Sequence, residues 1–189
     1  MEIPNSKPRR ILVTGNAGSG KSTLARSLGA ALDLPVHGLD RVVWQAGWQL
    51  TPLAQRDAAL RQLASGTAWV IDGVSRIIEA QADLVVFLDV KPALCTWRCA
   101  RRNLRYLFRS RPGLPANCPE ILIIPQLLKI IWRFDKDVRP NILRRAADAP
   151  PGRRYLHLRT PGEAAGLLAA AQVARCCRHQ NLQRVDVAL

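Results

Sequence analysis

Short apolar runs alternate with longer amphipathic stretches along the chain. Ile11–Thr14, Val36–Leu39, Trp69–Ile71, Leu84–Leu88 and Tyr155–Leu158 are apolar or β-branched runs of strand length, bounded by turn residues. Between them, helical patterning covers Lys21–Leu32, Thr51–Ser65, a stretch from Pro92 towards Arg109, Pro125–Ala147 and Pro161–Ala174. Thr51 is placed as an N-cap with Pro52 at the first helical position, and Pro140 is a candidate interruption in the fourth helix. Pro112–Pro119 reads as a loop, and Arg175–Leu189 lacks clear periodicity, so a frayed tail is expected there. The alternation predicts an α/β fold with a five-stranded parallel sheet flanked by helices. One domain is expected over residues 1–174, with an inserted helical segment near residues 98–135.

The connection after the first strand carries the most specific signal. Gly15-Asn16-Ala17-Gly18-Ser19-Gly20-Lys21-Ser22 fits G-x-x-x-x-G-K-[ST] at every fixed position, between a strand and a helix. The glycines let backbone N–H groups wrap towards phosphate oxygens, and the following helix adds a favourable dipole. The lysine suits the β- and γ-phosphates, and the Ser22 hydroxyl suits Mg²⁺. The residues Gly15 to Ser22 are therefore expected to hold a nucleoside triphosphate with Mg²⁺.

Three acidic residues end strands: Asp40, Asp72 and Asp89. In open α/β sheets ligands bind beyond that edge. Asp72, followed by Gly73, is the stronger candidate for holding Mg²⁺ opposite Ser22, and Asp89 is its competitor, with a helix-cap role as the other reading. Asp40 is either an acceptor-orienting group or general base, or a turn residue at the strand end. Trp44 and Trp48 either line an acceptor pocket by stacking or cover the core.

The formal charge is +14 among 189 residues, so anionic partners are implied: nucleotide, phosphorylated substrate or nucleic acid. Nucleic acid is the less favoured of these, because no DNA-reading motif is evident. The five cysteines form no CxxC pair and read as reduced thiols. No stretch has the length and apolarity of a membrane span, and Met1–Arg10 lacks an apolar leader core, which makes the cytoplasm the expected compartment. Arg98, Arg102, Arg105 and Arg109 recur at helical spacing on one face. They form either a solvated basic face or, with Trp97, Leu104 and Phe108 packing inward beside them, a lid that closes guanidinium groups over phosphates.

The phosphate loop, Ile71-Asp72-Gly73, and Val85-Val86-Phe87-Leu88-Asp89 followed by the Arg-rich helix together resemble adenylate-kinase-like P-loop kinases. Leu39-Asp40 with Trp44, Arg111-Pro112, Asn117-Cys118-Pro119-Glu120, Trp132-x-Phe134 and Arg139-Pro140 look like the bacterial "DNA topology modulation" or FlaR-like group of these kinases. The resemblance implies the P-loop NTPase fold, ATP with Mg²⁺, and phosphoryl transfer to an unidentified nucleotide or small-molecule acceptor. An alternative is a nucleotide-gated nucleic-acid-binding protein. Carried over by position, Gly15 to Thr23 would bind the triphosphate of ATP and Asp72 would sit near Mg²⁺. Likewise, Arg102 stands where a lid arginine packs on adenine, and Arg159 to Pro161 where a base-contacting loop runs. Adenylate kinases continue Asp-Gly with Phe-Pro-Arg, whereas this chain has Val74-Ser75-Arg76. Arg76 is a candidate acceptor contact.

Overall fold

A computed structural model describes residues 8–106, 108 and 114–185, and gives the backbone alone for Arg105 and residues 176–185. The Arg109 and Arg111 side chains of the expected lid lie outside the described residues.

Five parallel strands form the central sheet: β1 (Arg10–Gly15), β2 (Val36–Gly38), β5 (Trp69–Asp72), β6 (Leu84–Leu88) and β7 (Arg154–Leu158). Their spatial order is β2-β5-β1-β6-β7, so the chain leaves β1 towards one edge and later crosses to the other. A reversal of this kind opens a crevice at the carboxyl end of the first strand, where the ends of the chain's two halves diverge. β1 and β6 are buried along almost their whole length because helices cover both faces. One core layer joins Ile11, Val13 and Val86 to Leu24 and Leu28 of α1 (Lys21–Leu32) and to Leu167 and Ala171 of α8 (Pro161–Val185). The opposite layer joins Leu12, Ile71 and Val85 to Leu60 and Ala64 of α3 (Leu53–Ala64) and Ile78 of α4 (Arg76–Gln81).

The sequence reading placed the five parallel strands correctly and missed several short elements. Asp40–Val43 forms a one-turn helix, α2, and Trp44–Gln45 (β3) pairs antiparallel with Gln49–Leu50 (β4) in a separate hairpin. α4 was also unforeseen. Its start is fixed by Ser75, whose hydroxyl accepts from the Ile78 N–H. α3 begins after Pro52 rather than at Thr51. The long Pro125–Ala147 helix is two helices, α6 (Ile124–Asp137) and α7 (Arg139–Ala147), broken at Val138 because Pro140 cannot donate to the preceding turn. The last helix does not stop at Ala174. Its backbone continues to Val185, and Arg175 donates to the Ala30 carbonyl on α1 at 2.8 Å. A capping box starts that helix: Glu163 N–H donates to Thr160 Oγ1, and Glu163 Oε2 accepts from the Thr160 and Arg159 N–H groups.

α7 is held to the sheet by a buried carboxylate. Glu79 of α4 accepts from Arg145 Nε and Nη2 at 2.6 and 2.8 Å and from the Tyr155 hydroxyl at 2.6 Å. Burial, reinforced by the bond to Glu79, pushes the Tyr155 phenol up to about 12. A raised phenol pKa favours folding at neutral pH and loses that contribution as pH rises from the ordinary tyrosine range, about 10, towards 12. Removing one partner of such a cluster strands the others, so Glu79→Ala is expected to destabilise the fold by about 3 kcal/mol. Urea unfolding should show a lower midpoint at unchanged slope, and ultraviolet titration should show Tyr155 ionising at lower pH.

Candidate functional site

The loop between β1 and α1 is shaped by close approaches. Gly15 has φ 148°, and a Cβ there would stand 2.5 Å from the Leu88 carbonyl of β6. Gly18 has φ 78°, and a Cβ there would meet the Cys95 carbonyl at 2.5 Å and Cys99 Sγ at 2.8 Å. Those cysteines lie on α5 (Pro92–Arg105), so the loop is seated against that helix with no room for a side chain. Gly20, with φ 101°, is the left-handed cap of α1, and the space beside it is open. The start of this twelve-residue helix carries no side-chain cap among the described residues, an arrangement suited to phosphate.

Polar contacts complete the seat. Asn16 Nδ2 donates to the Ile131 carbonyl on α6 at 2.9 Å, and its Oδ1 accepts from the Ala17 N–H at 2.8 Å. Arg98 Nη1 donates to the Ser19 carbonyl at 3.2 Å. The Ser19 hydroxyl is buried and has no hydrogen-bond partner among the described residues.

Lys21 leads into the site. Its Nζ donates to the Asn16 carbonyl at 2.8 Å. Burial pulls its pKa below the ordinary lysine value, and the Asp40 and Asp72 carboxylates oppose that pull without overcoming it. Asp72, at the end of β5, accepts a 2.5 Å hydrogen bond from the Ser22 hydroxyl. Gly38 of β2 lies alongside, where a Cβ would come within 3.0 Å of Asp72 Oδ1, so glycine leaves room for the carboxylate. The structure thus brings together Lys21, Ser22, Asp72 and Asp40. The Ser22 and Asp72 oxygens are hard donors and fit Mg²⁺, with phosphate and water completing the shell.

Asp89 is committed elsewhere. It accepts from Arg139 Nε and Nη2 at 2.9 and 2.8 Å, and His157 Nε2 lies 2.7 Å away. The His157 ring stacks on Phe87 at 5.2 Å. Burial raises the Asp89 pKa, but bonds to Arg139 and His157 outweigh it and hold the carboxyl below the usual range. The pairing therefore stabilises above that range and is lost as pH falls.

The Arg-rich helix differs from expectation. Trp97, Leu104 and Phe108 do not pack inward: they are 57%, 76% and 79% exposed. The inward face is Cys95, Cys99 and Asn103, one turn apart, because Gly18 and Ile131 need small or polar neighbours there. Arg101 lies over the Trp97 ring at 5.7 Å, on the outer side. Arg102 faces Glu120 at 3.7 Å. Arg105 ends α5, and Arg109 lies outside the described residues. Arg159 is exposed after β7, with Nη2 3.4 Å from His157 Nδ1. Arg76 is exposed at the first position of α4. Trp44 and Trp48 meet edge to face at 5.4 Å, and the Trp48 indole donates to the Pro119 carbonyl at 2.8 Å. Sequence reasoning missed Glu120 and Asn103. Both are polar residues buried within the insert, and only the packing reveals that they are.

No protein-family model and no curated protein matches the chain. Among solved structures it is similar to a putative kinase from Chloroflexus aurantiacus, with a TM-score of 0.54 and 19% identity, covering 87% of this chain and 96% of that one. It is also similar to shikimate kinase from Acinetobacter baumannii, with a TM-score of 0.49, 17% identity and 93% of each chain covered. A sugar kinase from Janibacter sp. gives a TM-score of 0.48 at 19% identity, covering 87% of this chain and 92% of that one. The likeness is one of fold: the chain shares an α/β architecture with the Chloroflexus aurantiacus protein. Among the described residues, no helix is long and apolar enough to cross a membrane.

Because a Cβ on Gly18 would stand 2.5 Å from the Cys95 carbonyl of α5, Gly18→Ala must displace the loop or the helix. It is expected to lower stability by about 2 kcal/mol or more, read as a drop in Tm. Gly20→Ala, which meets no atom within 4 Å, is strained only by its φ and should cost less.

Proposed function

We propose that the chain is a phosphotransferase that takes the γ-phosphoryl group of ATP, with Mg²⁺, to a nucleotide or small-molecule acceptor. One observation carries the reading. The Ser22 hydroxyl and Asp72 carboxylate meet at 2.5 Å beside Lys21, at the open end of α1. A hard-oxygen pair, a desolvated ammonium and the start of a helix that no side chain caps together suit a metal-bound triphosphate.

In this reading the backbone of Gly15, Asn16, Ala17, Gly18, Ser19, Gly20, Lys21, Ser22 and Thr23 cradles the phosphates. Lys21 stabilises charge developing on the transferred group, and Ser22 and Asp72 hold Mg²⁺, which neutralises phosphate charge when bound. Phosphoryl transfer depends on positioning and electrostatics more than on covalent chemistry by the protein. Asp40 orients the acceptor or removes its proton, and Arg76 contacts it. Arg102, Arg105 and Arg109 serve the lid side, and Arg159 the base. The influence of Asp40 and Asp72 on Lys21 supports placing acceptor and donor on one side of the sheet edge. The adenylate-kinase-like and DNA topology modulation resemblance supports a nucleotide as the first acceptor to try. The expected domain limits, residues 1–174, enclose all these positions.

The test is incubation with labelled ATP and a panel of nucleoside monophosphates, nucleosides and hydroxylated metabolites. Transfer above hydrolysis is expected for at least one. Lys21→Ala should reduce it by about 100-fold or more, because a donor aimed at the developing charge is lost. ATP hydrolysis without transfer to any acceptor would contradict a phosphotransferase.

A further inference from the structure

The hairpin β3–β4 and the segment before α6 are far apart in sequence, yet three contacts join them. Trp48 Nε1 donates to the Pro119 carbonyl at 2.8 Å, Gly47 N–H to the Asn117 carbonyl at 3.1 Å, and Cys118 Sγ lies 3.5 Å from the Gln45 carbonyl. Cys118 is buried in this contact. Trp48 takes a positive φ of 58°, which a bulky side chain adopts only where the surroundings hold it. The hairpin follows Asp40 directly, so it belongs to the acceptor side of the site.

Glu120 comes next in the chain and is 1% exposed. Its N–H donates to the Tyr106 carbonyl at 3.3 Å. With its amide nitrogen turned towards them, Asn103 donates to the Cys99 carbonyl and to Glu120 Oε2, each at 3.0 Å. Arg102 Nη2 stands 3.7 Å from the same Oε2. A carboxylate this deeply buried is retained only where charge or donors meet it, so Glu120 fixes where Arg102 can stand. Arg102 lies one turn beyond Arg98, on the face of α5 from which Arg98 reaches the Ser19 carbonyl of the phosphate loop. Arg102 Nε is buried without a hydrogen-bond partner among the described residues. Its guanidinium is thus steered by Glu120 but keeps a donor in reserve.

We propose that Trp48 and Glu120 are positioning residues, a strap by which the acceptor-side hairpin sets Arg102 over the bound nucleotide. Trp48 fixes Pro119, Pro119 fixes Glu120, and Glu120 fixes the guanidinium. A change at Trp48 therefore reaches the nucleotide through Arg102, although Trp48 lies on the acceptor side. The inference rests on the nucleotide-binding part of the function proposed above.

The experiment measures the Kd of a non-hydrolysable ATP analogue with Mg²⁺ by calorimetry, with Tm recorded alongside. Trp48→Phe keeps the ring and removes the donor to Pro119, and Glu120→Gln keeps the shape and removes the charge. Each is expected to raise Kd about fivefold or more, a coupling of ordinary size between linked sites. In an Arg102→Ala background, either change should alter Kd by less than about twofold, since the element that transmits it is gone. A merely structural strap would lower Tm and leave Kd unmoved. Unchanged Kd, or equal effects with and without Arg102, would overturn the strap while leaving nucleotide binding intact. Failure of the wild-type protein to bind the analogue would overturn the nucleotide reading and the strap with it.

Discussion

The seat of Gly18 on α5 is the constraint from which the rest of the site follows. Backbone packed at this distance leaves no space for a side chain, so the loop can form only where the sequence supplies glycine and where α5 presents small, buried residues. Cys95 and Cys99 supply that face, and Ile131 of α6 closes it from the other side. Once Gly18 is fixed, Gly15 rests on β6, Asn16 reaches the Ile131 carbonyl, and Arg98 takes the Ser19 carbonyl. The loop is therefore held by the sheet edge, α5 and α6 together. Hydrogen bonds from the Ala17 N–H to Asn16 Oδ1 and from the Ser19 N–H to the Asn16 carbonyl fix its shape from within.

Electrostatics divides the molecule into paired and waiting charges. Glu79 with Arg145, Asp83 with Arg10, and Asp89 with Arg139 are ion pairs that join elements. Burial of Asp83 opposes ionisation, but hydrogen bonds from Arg10 and the Arg9 N–H prevail and hold its carboxyl low. Around Lys21 the balance is different. Desolvation there is stronger than the help from Asp40 and Asp72. A group in that state gains from an arriving anion, which restores the compensation that burial removed.

The parallel sheet was legible because β1, β5 and β6 are continuous apolar runs and several helices open on a proline, as Pro92 and Pro161 illustrate. The phosphate loop was legible because each fixed residue answers a steric or electrostatic need at that point of the backbone. The orientation of α5 was not. Trp97, Leu104 and Phe108 look like core residues, yet the helix turns its cysteines inward. What decides this is a glycine some eighty residues earlier in the chain, and no local periodicity reports it. The Trp48–Pro119 and Glu120–Arg102 contacts were hidden for the same reason: their partners are distant in sequence. Asp89 illustrates the converse case. Its place at a strand end was readable, but its partners Arg139 and His157 come from elements fixed only by the fold.

The most direct measurement is ATP binding by calorimetry with and without Mg²⁺, in the wild-type protein and in Asp72→Asn. If Ser22 and Asp72 form the metal side of a triphosphate site, Mg²⁺ should strengthen binding to the wild type and do so much less in the variant. Equal Mg²⁺ enhancement in both proteins, or no ATP binding in either, would contradict the account.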